Sequence, residues 1–120
     1  MRVKIEQEIP VDFVDEEGAQ NVTKRILIGP EDGSKNIVMR YFIVLPGGNT
    51  PFHSHGFEHV VRVEKGRGSV MDASGNEIPI SSGHSVFIAG GEKHQFKNPY
   101  DEPFEFLCTI LNQEKDQSSR

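Results

Sequence analysis

The chain has 120 residues, enough for one domain around a single core. Its 13 Lys and Arg against 18 Asp and Glu give a formal charge of −5, which argues against nucleic acid or an anionic membrane surface as the main partner. The single cysteine, Cys108, excludes an internal disulfide, and no apolar run is long enough for a signal peptide or a membrane span, so a reducing, cytoplasmic location is expected.

Gly, Pro, Asn and Asp punctuate the sequence at short intervals, with β-branched and aromatic runs between them. Strands are predicted near 3–8, then over 22–28, 37–45, 51–55, 58–65, 68–73, 77–80, 85–89, 92–97 and 103–111. Residues 1–12 alternate apolar and charged, as an added edge strand would. Long amphipathic helical periods are absent, so the expected fold is all-β, a sandwich or a closed barrel, since closure removes exposed sheet edges. Residues 1–112 form one domain in this reading, and the polar stretch 113–120 reads as a disordered tail.

Alternation along the strands assigns the faces, because successive side chains point opposite ways. Over residues 58–64, Glu58, Arg62 and Glu64 share one face and His59, Val61 and Val63 the other. The valine face must be buried, so His59 points inward, with His53 and His55 at the same parity if the chain stays extended through Gly56. The same logic places His94 inside with Phe96, and Phe104, Phe106, Cys108 and Ile110 on the inner face of the last strand. Four imidazoles among Val and Phe would be costly if charged or unsatisfied, and a shared metal ion removes that cost.

Other residues carry structural expectations. Gly47, Gly66, Gly83 and Gly91 read as turn residues, His84 as part of the turn from Ser81, and Asn98 as a turn-fixing side chain. Phe52, Phe57, Phe87, Phe96, Phe104 and Phe106 are expected in the core or the pocket wall. Cys108 is read as a small buried hydrophobe near the site, with a redox or ligand role as the alternative. Arg40 and Tyr41 face opposite ways; one of them can look into the cavity and bind an anionic substrate, and a surface position is expected for the arginine.

Two segments resemble the paired motifs of the cupin family. The first motif, G-x5-H-x-H-x3,4-E-x6-G, is met by Gly47, His53, His55 and Gly66. The second, G-x5-P-x-G-x2-H-x3-N, is met by Gly83, Gly91, His94 and Asn98. Two positions depart from the pattern: His59 stands in for the glutamate ligand and Ala89 for the proline. Glu58 has the wrong parity to replace that ligand without a bulge.

The resemblance implies a double-stranded β-helix, or jelly-roll, barrel in which His53, His55, His59 and His94 hold one divalent Mn, Fe, Ni, Cu or Zn ion. Four neutral donors would leave the ion's full charge, making a strong Lewis acid with open positions for a chelating substrate, or for substrate together with dioxygen. No general base is obvious beside the site, so a metal-dependent dioxygenase acting on a small oxygen-bearing molecule is the first expectation. An isomerase or lyase, and a module that binds or senses a small ligand without chemistry, are the alternatives. A homodimer exchanging residues 1–12 is also implied by the resemblance.

Overall fold

The computed structural model describes residues 1–113, and the predicted tail otherwise lies outside them. Among the described residues nine strands form: β1 (Asp12–Phe13), β2 (Gln20–Ile28), β3 (Ile37–Asn49), β4 (His59–Lys65), β5 (Arg67–Met71), β6 (Glu77–Ser81), β7 (Ser85–Ile88), β8 (Gln95–Lys97) and β9 (Phe104–Leu111). All pairings are antiparallel. The strand order is β6-β5-β8-β3-β9-β4-β7, with β2 also on β3 and β1 on β2.

The long β3 makes the sheet curl. Its first eight residues, Ile37–Val44, pair with β9, while its last, Asn49, pairs with Lys97 of β8. One strand therefore belongs to both halves of a rolled sheet, with Pro46, Gly47 and Gly48 at the bend between them. This is the jelly-roll barrel expected from the sequence. Among the described residues, no helix is long and apolar enough to cross a membrane.

Inside the roll lie Val22, Phe42, Val44, Val61, Val63, Phe96, Phe104, Phe106, Cys108 and Ile110, all buried. Three rings surround Phe106: Phe96, Phe104 and Phe42, with centroids at 4.6, 5.2 and 5.3 Å. The predicted alternation holds across β4, where His59, Val61 and Val63 are buried and Val60, Arg62 and Glu64 exposed. Phe87 and Phe52 depart from expectation. Both are exposed, because β7 presents Phe87 to the outer face beside Val60 and Phe52 sits in the loop under the Lys93 ammonium.

The four predicted turn glycines all take positive φ, from 73° to 97°. At Gly66 the requirement is twofold: an added Cβ would also collide with the carbonyl oxygen of Pro103. His84 closes its turn as predicted, its Nδ1 accepting from the Ser81 amide at 2.8 Å. The buried Asn98 ties three segments together. Its Nδ2 donates to the carbonyls of Val44 (2.9 Å) and Glu102 (2.7 Å), and its Oδ1 accepts from the Tyr100 amide at 3.0 Å.

Two predicted strands do not form as such. Residues 51–55 make an isolated bridge at His53, paired with His94, because Pro51 and the bends at Phe52, Gly56 and Phe57 leave no continuous ladder. At the start, Glu6–Glu8 wind into a short 3₁₀ turn where a strand near 3–8 was predicted. Side-chain contacts lay this segment along its own chain: Arg2 and Lys4 reach Asp32, and Arg25 donates to the Ile9 carbonyl and pairs with Glu6.

Candidate metal centre and cavity

The bridge and the barrel bring the two histidine groups together. His53 and His94 exchange backbone hydrogen bonds in both directions, at 2.9 and 3.1 Å, so their side chains leave neighbouring positions. His59 enters from the first residue of β4, and Gly91 donates its amide to the His55 carbonyl, fixing the second loop against the first. Ring centroids of His53–His55, His59–His94, His53–His94 and His55–His59 lie 4.2, 4.9, 5.2 and 5.3 Å apart. All four predicted ligands thus line one cavity of about 280 Å³. Glu58 stays exposed and outside it.

Burial sets the protonation of these rings. It pushes His53 down to about 4, helped by the neighbouring His55 and His94 and opposed by Glu16. His59, more deeply set, is pushed down to about 3 by the same cause, and His55 is also lowered. At neutral pH these three are therefore uncharged imidazoles with a lone pair to offer. His94 is held by its Nδ1, which must donate to the Glu92 carbonyl at 2.8 Å, since a carbonyl can only accept. That leaves its Nε2 as the acceptor, the arrangement found in metal-ligating histidines whose other nitrogen is fixed by a carbonyl. The His53 Nε2 and His55 Nε2 atoms stand 3.2 Å apart. Two nitrogens bound side by side to one ion at about 2.1 Å would be separated by about 3.0 to 3.4 Å, so this pair already has the spacing.

The donor set suits a borderline divalent ion, yet the full shell is not preformed. Among the described residues, no three His, Cys, Asp or Glu side chains meet the spacing of a ready metal site. An ion would have to draw the rings inward by side-chain rotation.

The structure adds groups that the sequence reading did not place. Glu16, from the loop before β2, lies at the cavity with its carboxylate 3.8 Å from His53 Nδ1. Lys24 of β2 joins the lining, while Phe57 lies on the pocket wall as expected, stacked on His55 at 4.7 Å. Arg40 is a correction. It faces the cavity, not the surface, because it shares parity on β3 with the buried Val38, Phe42 and Val44. It sits directly across from Cys108 in the β3–β9 register, and its Nη2 donates to the sulfur at 3.0 Å. Tyr41 takes the opposite face, where its hydroxyl donates to Glu105 at 2.7 Å. Burial raises the Cys108 thiol above its usual range while the adjacent guanidinium pulls it down.

The cupin domain family matches the chain over residues 40–110. A 1-methylthio-D-xylulose 5-phosphate methylsulfurylase of Rhodospirillum rubrum is 35% identical over 106 residues, covering 85% of this chain and 65% of that protein. The chain therefore spans somewhat less than two thirds of that relative. Among solved structures, the polyketide cyclase RemF from Streptomyces resistomycificus superposes with a TM-score of 0.88 at 30% identity, over 92% of this chain and 79% of that one. A predicted oxalate decarboxylase from Thermotoga maritima gives 0.81 at 25% identity, over 92% and 99%.

Proposed function

The chain belongs to the cupin family, and from that premise we propose that its histidine-lined cavity holds one divalent transition metal and transforms a small oxygen-bearing molecule. The observation that carries this reading is the gathering of His53, His55, His59 and His94 on one cavity, three of them held neutral by burial. A bound ion would supply Lewis acidity and open coordination positions. The chain's own residues supply the rest. The Glu92 carbonyl orients His94, Glu16 stands by to orient His53, and Phe57, Phe96 and Phe106 wall the cavity against water.

Two chemistries fit this arrangement. The expectation of a dioxygenase rested on the lack of a general base, and Glu16 at the cavity removes that premise, since a carboxylate there can take a proton from a bound ligand. The relatives are named for a methylsulfurylase, a cyclase and a predicted decarboxylase, which supports an isomerase- or lyase-type reaction. Dioxygenase chemistry is the second reading, supported by a donor set of neutral imidazoles that would raise the reduction potential of a bound ion. An oxygen electrode separates them. The manganese, iron and copper forms are run on phenolic and diketone substrates in air, and product is followed by NMR under argon. Turnover without oxygen uptake is expected. Uptake matched to product would establish the second reading, and a co-purified molecule that stays unchanged would point to binding without chemistry.

A cytoplasmic homodimer completes the proposal. Val11 and Phe13 project apolar side chains outward beside the first strand, where a second copy would cover them. Light scattering at micromolar concentration should give twice the chain mass; a monomer would refute it.

A further inference from the structure

We infer that Arg40 is the anion-binding group of this cavity and that its ligand is a small molecule with an apolar body and a carboxylate. The inference rests on the proposed reading of the cavity as the small-molecule site.

A guanidinium is always charged and carries five donors. Among the described residues only one of them finds a protein acceptor, the Cys108 sulfur at 3.0 Å, and sulfur is a weak acceptor. The Nε is buried and has no hydrogen-bond partner among the described residues. No carboxylate pairs with Arg40 among the described residues, whose ion pairs lie elsewhere. One face of the guanidinium covers the Phe42 ring at 4.8 Å. A charge set among an aromatic ring and a thiol is costly unless something completes it. The cavity it lines is where that partner can come from.

The lining states the partner's chemistry. Lys24 adds a second cation, and Glu16 is the one carboxylate among the lining residues. The Thr50 hydroxyl already accepts from the Phe96 amide at 2.9 Å, so it is committed to the fold. Gln113 also lines the cavity, its amide donating to the Leu111 carbonyl, and the apolar walls are Val14, Phe42, Pro51, Phe57, Phe96, Phe106 and Ile110. Such walls favour an apolar body and disfavour a strongly hydrated dianion. A carboxylate has the two coplanar oxygens that match the edge of a guanidinium. A volume of about 280 Å³ admits a molecule built on one ring.

The test uses the zinc-loaded full chain, titrated calorimetrically with benzoate and with benzyl alcohol, its uncharged counterpart. Wild type, Arg40→Met and Arg40→Lys are compared, with zinc content measured on the same samples. Benzoate should bind at least tenfold more weakly to Arg40→Met and with intermediate affinity to Arg40→Lys, while benzyl alcohol is unaffected. If Arg40→Met does not fold, Arg40→Lys carries the test. Benzoate affinity equal to wild type in either variant would overturn the inference, as would tighter binding of phenyl phosphate than benzoate to the wild type. Loss of zinc with Arg40-dependent benzoate binding intact would remove the metal reading and leave this subsite. Zinc retained with Arg40-independent binding would do the reverse.

Discussion

Replacing Asn98 tests how the barrel holds its second histidine loop in place. The side chain is 1% exposed and makes three hydrogen bonds, two as donor to the carbonyls of Val44 and Glu102 and one as acceptor from Tyr100. Asn98→Ala removes all three and strands buried partners; at roughly 1 kcal/mol or more per bond, the loss is about 3–5 kcal/mol. For a domain of this size that is a fall in Tm on the order of 10–20 °C. Asn98→Asp conserves shape and is nevertheless expected to be no better at pH 7. One of its oxygens would face two carbonyl oxygens, and an ionised carboxylate would lie buried without a cation. Burial raises the folded pKa of the introduced carboxyl above its unfolded value of about 3.9, so its relative stability returns as pH falls and is lost as pH rises. The Asp variant should therefore gain on the Ala variant between pH 7 and 5 in parallel urea melts. An Asp variant as stable as wild type at pH 7 would refute this account of the turn.

Three further outcomes follow from particular residues. Glu16→Gln should weaken zinc affinity about tenfold or more, measured by chelator competition, while leaving Tm of the metal-free protein nearly unchanged, because Glu16 is exposed and acts through His53; an unchanged affinity would remove its orienting role. Gly66→Ala should cost more than about 1 kcal/mol in urea unfolding, since it combines a left-handed backbone with a collision at Pro103; a neutral result would contradict the backbone geometry. Stability of the metal-free protein should also depend on pH through His53 and His59, whose folded values are about 4 and 3 against about 6.5 unfolded. Below pH 6.5 the unfolded chain takes up protons that the folded rings refuse, so stability is full above 6.5 and falls towards pH 4, by an amount on the order of a few kcal/mol. Flat stability from pH 7.5 to 4.5, or an undiminished slope in His59→Leu, would count against buried neutral rings.

Much of this was legible because strand alternation is a strong signal wherever one face is wet. The charges at Glu58, Arg62 and Glu64 fixed the inward direction of His59, and the run from Phe104 to Ile110 fixed the inner face of β9. The same signal existed for Arg40, which alternates with Val38, Phe42 and Val44, but the general rarity of buried arginine outweighed it. Glu16 had no such signal. It sits on an irregular loop, and only the pairing of β2 with β3 brings that loop to the cavity. The strand predicted over 51–55 failed for a local reason, since Pro51 and the bends at Phe52, Gly56 and Phe57 leave only the single bridge from His53 to His94.

The most direct test of the central claim is a crystal of the manganese- or zinc-soaked protein with anomalous data collected at the metal edge. One peak per chain is predicted, about 2.0–2.2 Å from a nitrogen of each of His53, His55, His59 and His94, with one or two exchangeable oxygen ligands completing the shell. A fully formed barrel with no peak among those four rings, at saturating metal, would contradict it.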